Sequence, residues 1–387
     1  MTSIPPGLTE LPAFEYAPRT RLVFGAGSVV RVGEFARESG GNRVLLVTDP
    51  GLVKVGHAGR IRELLVQAGM SVTTFDRVRE NPTTRDVDDC LQIAREHRVD
   101  LIVGLGGGSS MDTAKGCNFL LTNGGQMKDY WGVGKATRPM LPLIAIPTTA
   151  GTGSECQSAA LIADEATHQK MACLDPKAAA RVAVLDPELT LSQPPRVTAC
   201  TGLDALAHAV ESAVTTRRNP LSQAYSREAF RLCAGAFDAV LQGPTDVASR
   251  GRMLLGAALA GTAIENSMLG AAHAAANPLT AHFNIVHGQA VGMLLPAVVR
   301  LNGADPVPAA LYRELARSIG LSSVGDLADF LSQALRTAGV PESLAQCGLQ
   351  EKDLGGLAEE AARQWTARFN PVPVDATSFA ELYRAIL

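Results

Sequence analysis

Leu101 to Gly116 reads LIVGLGGGSSMDTAKG. Leu101 to Gly104 is a short apolar run with the look of a buried strand. It runs straight into a glycine-rich turn, and a helix is expected from about Ser110. Glycines let backbone approach a ligand closely, and the first turn of a helix offers unpaired N–H groups at a positive dipole end. This is a cradle for a diphosphate. The GK[ST] ending of a P-loop is missing, because Lys115 falls inside the helix. GxGxxG is missing as well, because Ser109 stands where the third glycine belongs. The plain alternative is a tight turn with Ser109 as a helix cap.

Working outward, the same alternation recurs. Arg43 to Thr48 (RVLLVT), Ser71 to Phe75, Leu143 to Pro147 (LIAIP) and Val182 to Leu185 (VAVL) are further strand candidates. Gly59 to Ala68 and Asp86 to His97 carry helical spacing between them. Apolar strands alternating with helices predict a parallel sheet covered on both faces, a Rossmann-like α/β domain. After Leu189 to Pro195 the strand signals fade. Ala- and Leu-rich stretches follow: Cys200 to Val214, Leu221 to Leu241, Ala248 to Ser267, Gly288 to Leu301, Ala309 to Ser318, Val324 to Ala338 and Leu357 to Arg363. These predict helices. The 387 residues therefore divide into a nucleotide-binding α/β domain, 1–191, and an all-helical metal-binding domain, 192–387.

Composition narrows the function class. The chain is 46% hydrophobic and 19% charged with net charge −3, so it is globular and lacks the basic excess of a nucleic-acid binder. No apolar run approaches the ~20 residues that span a bilayer. Met1 to Pro12 carries no basic-then-apolar leader pattern. Seven scattered Cys without a CxxC predict reduced thiols in a cytoplasmic protein.

Two further features point to a nucleotide. PTTAGTGSE, Pro147 to Glu155, places Thr148, Thr149, Thr152 and Ser154 at the carboxyl end of a strand. Their hydroxyls suit a phosphate, a ribose or a nicotinamide amide; a capped helix start is the alternative. Asp49 follows the RVLLVT strand, where a carboxylate can bond a ribose hydroxyl and repel an extra phosphate, favouring NAD over NADP. An ordinary Asp-Pro-Gly turn is the alternative.

The chain has only seven His, so a cluster stands out. TGLDALAHAVES, Thr201 to Ser212, puts Asp204 and His208 four apart on one face of an apolar helix. Buried, they need a partner. His273, His282 and His287 fall within 15 residues of another apolar segment; His273 is expected on one helix and His287 on a turn before the next. One carboxylate with several imidazoles suits Fe2+ or Zn2+ with an open position for substrate. An Asp–His pair satisfied by hydrogen bonds is the alternative.

Phe24-Gly25-Ala26-Gly27-Ser28, GGGSSMDTAK, PTTAGTGSE and the DxxxH…H…H set, in this order, resemble the iron-containing (group III) alcohol dehydrogenase family. The resemblance runs from about Tyr16 to Leu387. It implies a catalytic cleft between the two domains of a dehydroquinate synthase-like architecture. It implies metal ligands Asp204, His208, His273 and His287. It implies NAD(P) at Gly106, Gly107, Ser109, Asp112, Thr148, Thr149 and Thr152, with Asp49 near the adenosine ribose, Asn81-Pro82 beside the nucleotide and Lys170 near the nicotinamide. A homodimer, and a small primary alcohol or aldehyde as substrate, follow from the same resemblance. Many members carry a proton-relaying His four residues after the third ligand; here that position is Asn277, and His282 is the candidate substitute. Competing readings are a dehydroquinate synthase-like or glycerol dehydrogenase-like enzyme of the same superfamily, and a non-catalytic metal- or nucleotide-binding module.

Overall fold

The computed structural model describes residues 13–167 and 169–387; the Pro-rich stretch Met1 to Pro12 lies outside them. The described chain forms two compact units. One comprises Ala17–Thr149 and Gly153–Gln193, the other Pro194–Leu387 together with Ala150–Thr152 and residues 13–16.

The first unit is α/β. Its strands are β1 (Arg21–Phe24), β2 (Arg43–Val47), β3 (Ser71–Phe75), β4 (Leu101–Gly106), β5 (Gly132–Val133), β6 (Leu143–Pro147), β7 (Ala159–Ala163), β8 (Lys170–Leu174) and β9 (Val182–Leu185). Its α-helices are α1 (Val32–Ser39), α2 (Pro50–Lys54), α3 (His57–Gln67), α4 (Thr84–Glu96) and α5 (Gly108–Asn123). Six strands form a fully parallel sheet in the order β1-β9-β6-β4-β2-β3.

Period-two alternation explains why this sheet needs helices on both faces. Val44, Leu46, Val103, Leu105, Ile144 and Val184 point to one side, against Phe35 of α1 and Ile61 and Leu65 of α3. Leu45, Val47, Ile102 and Ala145 point to the other, against Val87, Cys90 and Leu91 of α4 and Met111 and Cys117 of α5. Each such side chain is buried. Truncating one central leucine, Leu46→Ala, costs about 2–5 kcal/mol.

The expected strands are all present, and β3, β6 and β9 have the expected limits. A second sheet was not foreseen: β7 and β8 pair antiparallel, with β5 added parallel to β8. Their sequences, AALIA and KMACL, hold one β-branched residue between them and show no clean polar–apolar alternation.

The second unit is helical: α6 (Pro195–Ser212), α7 (Pro220–Ala234), α8 (Phe237–Gln242), α9 (Val247–Ser267), α10 (Ala271–Phe283), α11 (His287–Asn302), α12 (Pro306–Arg317), α13 (Val324–Thr337), α14 (Glu351–Arg363) and α15 (Ala376–Arg384). Helix α6 is its centre, packed by α7, α9 and α11, and it is buried from Gly202 to Ser212. The stretch Leu221 to Leu241, expected as one helix, breaks at Gly235-Ala236. There the Gly235 N–H closes α7 on Arg231 O, and Ala236 leaves helical geometry at φ −122°. Among the described residues no helix is long and apolar enough to cross a membrane.

Candidate functional site

In the helical unit, α6 carries Asp204 and His208 one turn apart, α10 carries His273 and α11 begins with His287. The Nε2 atoms of His208 and His273 each lie 3.4 Å from Asp204 Oδ1, and that of His287 lies 3.8 Å from it. The His208 and His273 rings stack with centroids 4.8 Å apart. Asp204, His208 and His273 are buried, and one ligand atom from each falls within 4.8 Å of the other two. His287 stands at the edge of this group, 29% exposed. It is the first residue of α11 rather than part of a preceding turn.

The backs of two rings are fixed. His208 Nδ1 faces Gly151 O at 3.1 Å, and His273 Nδ1 faces Glu211 Oε2 at 2.5 Å. Both partners are acceptors, so each Nδ1 carries a proton, and Nε2, the nitrogen turned toward Asp204, is the one whose lone pair a metal could take. Asp204 Oδ1 and His273 Nε2 are buried without a hydrogen-bond partner. Such atoms are costly unless something binds them. A divalent cation at their shared focus fits: the donors are one carboxylate oxygen and imidazole nitrogens, the set that suits Fe2+ or Zn2+.

The electrostatics agree. Burial opposes charge on Asp204, yet the surrounding imidazoles, His208 foremost, hold its carboxyl well below the usual range. Burial pushes His208 down despite Asp204. Burial also acts to lower His273, but Glu211 and Asp204 together raise it to about 9. The two carboxylates favour a cation at this ring, and a metal ion competes with the proton for it.

His282 is not brought into this group. It lies nine residues beyond His273, roughly 13 Å along the helix axis. It is 55% exposed, and its Nε2 pairs with Glu360 Oε2 at 2.6 Å. The expected substitute proton carrier therefore does not sit with the other histidines. Asn277 lies one turn past His273 and donates from Nδ2 to Gln364 Oε1 at 3.1 Å.

The α/β unit gathers most of the nucleotide candidates. From β2 the chain crosses to β3 on one side and then returns to β4 on the other. The carboxyl ends of β2 and β4 therefore flank the point where strand order reverses, the usual ligand crevice of such sheets. Asp49 stands after β2 and caps α2, its Oδ1 accepting the Leu52 N–H at 3.1 Å. At the end of β4, Gly106 has φ +146°, and a Cβ there would overlap the Ser110 hydroxyl. Gly107 is the cap residue of α5, and a Cβ on it would lie 3.2 Å from Thr149 Oγ1. The helix thus begins two residues earlier than expected. Ser109 is not its cap; its hydroxyl accepts the Asn81 N–H at 3.3 Å, with Asn81 itself at φ 52°.

Thr148 is buried and donates its N–H to Gly106 O. Asp112 is buried, and its Oδ1 accepts from the Ser154 hydroxyl at 3.1 Å. Burial raises its carboxyl, with Lys115 and Lys170 acting the other way. Lys170 opens β8 and is exposed. Thr152 belongs to the helical unit.

Several residues that build these sites carried little signal. Glu211 is one, although its place three residues after His208 continues the same helix stripe. Lys115 is another: fully buried, it donates to Ser154 O, Ser154 Oγ and Ala159 O at 2.6–2.9 Å, tying α5 to Ser154 and to the start of β7. Asp186 is a third, accepting the N–H groups of Gly27 and Val29 and so fixing the FGAGS loop.

Comparison with known proteins agrees with this arrangement. The model of the family described as iron-containing alcohol dehydrogenase matches residues 18–187. That of the Fe-containing alcohol dehydrogenase family, C-terminal, matches 198–387. Alcohol dehydrogenase 4 of Schizosaccharomyces pombe is 36% identical over 92% of this chain and 85% of its own. The crystal structure of a 1,3-propanediol oxidoreductase superposes with TM-score 0.92 at 32% identity, covering 97% of this chain and 100% of that one. Sulfoacetaldehyde reductase from Bifidobacterium kashiwanohense, solved in complex with NAD+, gives 0.89 at 28% identity over 97% and 99%. With both halves matched and a relative above 30% identity across nearly the whole length, the chain belongs to the iron-containing alcohol dehydrogenase family.

Proposed function

We infer that this oxidoreductase is a metal-dependent, NAD-linked enzyme that interconverts a small primary alcohol and its aldehyde. One observation carries the reading: three imidazole Nε2 atoms converge on a buried Asp204 oxygen that has no hydrogen-bond partner. Asp204, His208, His273 and His287 would hold the metal, for which Fe2+ is our choice. The ion and the nicotinamide, when bound, supply Lewis acidity at the substrate oxygen and a hydride acceptor.

The chain's own groups do the rest. The backbone of Gly106 and Gly107 and the first turn of α5 would receive the diphosphate. Thr148, Thr149, Thr152 and Ser109 would line the nucleotide, and Lys170 would approach the nicotinamide side. Asp49 keeps one oxygen for the α2 cap and has a second with which to accept a ribose hydroxyl, so NAD is preferred over NADP. Asp112 would act from behind, through Ser154. Asn277 and Gln364 are amides and hold no transferable proton, so the alcohol proton leaves through water. The seven free thiols suit a reducing, cytoplasmic setting.

The test is NADH formation from a panel of short primary alcohols, with metal content measured on the same sample. Turnover that requires one metal per chain and NAD supports the reading. Equal turnover in the chelated protein overturns it.

A further inference from the structure

We propose that Glu211 is a positioning residue for the metal centre: it fixes the ring of His273 so that Nε2, and not Nδ1, faces Asp204. This rests on the metal reading above and adds to it a residue outside the ligand set.

Glu211 is 2% exposed and stands near the carboxyl end of α6, seven residues after Asp204. Both of its oxygens are used. Oε2 accepts from His273 Nδ1 at 2.5 Å, and Oε1 accepts the Ala272 N–H at 2.6 Å. One carboxylate therefore grips both the ring of His273 and the first turn of the helix that carries it. Ala271 N–H, the neighbouring donor of that turn, goes to Asn370 Oδ1 at 3.2 Å. Asn370 is itself held by Asn302, which also reaches the Tyr312 hydroxyl at 3.1 Å. Gly270 leaves room for the grip: a Cβ there would sit 3.1 Å from Glu211 Oε1 and 3.0 Å from Asn370 Oδ1.

A carboxylate can only accept, so the proton of a neutral His273 must sit on Nδ1. That leaves the Nε2 lone pair for a metal, and the negative partner makes the ring a stronger ligand. Gly151 O does the first of these for His208, but as a neutral group.

Glu211→Gln tests this with little change of shape. The amide oxygen can keep the Ala272 N–H, but its NH2 then faces His273 Nδ1 and drives the ring proton to Nε2, where it blocks the metal. Chelated wild-type and variant proteins are titrated with Co2+ alone, reading affinity and the d–d absorption bands. The expected result is a roughly 10–100-fold weaker Kd with altered bands, and metal-free melting midpoints within a few degrees of each other. Equal Kd and identical bands in the two proteins overturn the proposal. Failure of wild type to take up Co2+ instead overturns the metal reading itself. If Glu211→Gln does not fold, the equal-length pair Glu211→Asp and Glu211→Asn makes the same comparison: tighter binding by the Asp protein supports the proposal, and equal binding overturns it.

Discussion

A Cβ on Gly288 would overlap the carbonyl oxygen of Cys200 and come within 3.2 Å of Asp204 Cβ. This close approach of α11 to α6 is what brings His287, the preceding residue, to Asp204. Gly288→Ala should force the two helices apart, at an overpacking cost of about 1–3 kcal/mol. Metal content after purification should fall well below that of wild type. A denaturant melt and elemental analysis of one preparation read both effects.

Asp49 offers a charge at the crevice and a cap for α2. Asp49→Ser keeps a capping oxygen and removes the negative charge. KM for NADP should fall at least tenfold relative to KM for NAD, with kcat nearly unchanged. An unaltered KM ratio would remove Asp49 from the ribose site.

Glu155 is buried, its Oε1 has no hydrogen-bond partner, and burial pushes its carboxyl from 4.5 to about 7, against a hydrogen bond from its own backbone and the charge of Lys115. Between those values the folded chain binds more protons than the unfolded one. Stability contributed by this group is therefore complete below pH 4.5 and is lost as pH rises through 7. The gap corresponds to roughly 3 kcal/mol at most. Glu155→Gln has no such dependence, so its stability relative to wild type should be greater at pH 8 than at pH 5. Parallel unfolding curves at the two pH values check this.

Asn277 and Gln364 bond each other one turn beyond His273, and neither titrates. Asn277→His should add to the kcat/KM profile a limb near the ordinary imidazole value of about 6.5. Superimposable profiles for variant and wild type would place this position out of reach of the reacting atoms.

Much of this was legible in the sequence, for identifiable reasons. Strands β4, β6 and β9, and β2 beyond Arg43, are buried on both faces, so each is dominated by a run of Val, Ile, Leu or Ala. Such runs stand out between turns. The antiparallel pair β7 and β8 is weaker in that signal: AALIA holds a single β-branched residue and KMACL none. Asp204 and His208 were legible because a four-residue spacing fixes their common face. Glu211 lies on the same stripe, but a Glu near a helix end ordinarily meets solvent. Only the arrival of α10, with the His273 ring and the Ala272 N–H, makes it an interior group. His282 is the converse case. Its place in an apolar segment rich in His suggested a substitute proton carrier, whereas it lies exposed and paired with Glu360.

The most direct test is the absorbance of NADH formed from a short primary alcohol and NAD by chelated protein, before and after one equivalent of Fe2+ is added without oxygen. No activity before addition, restoration by Fe2+, and no restoration in His273→Ala is the predicted result. Undiminished NADH formation by chelated wild type, or by His273→Ala, would contradict it.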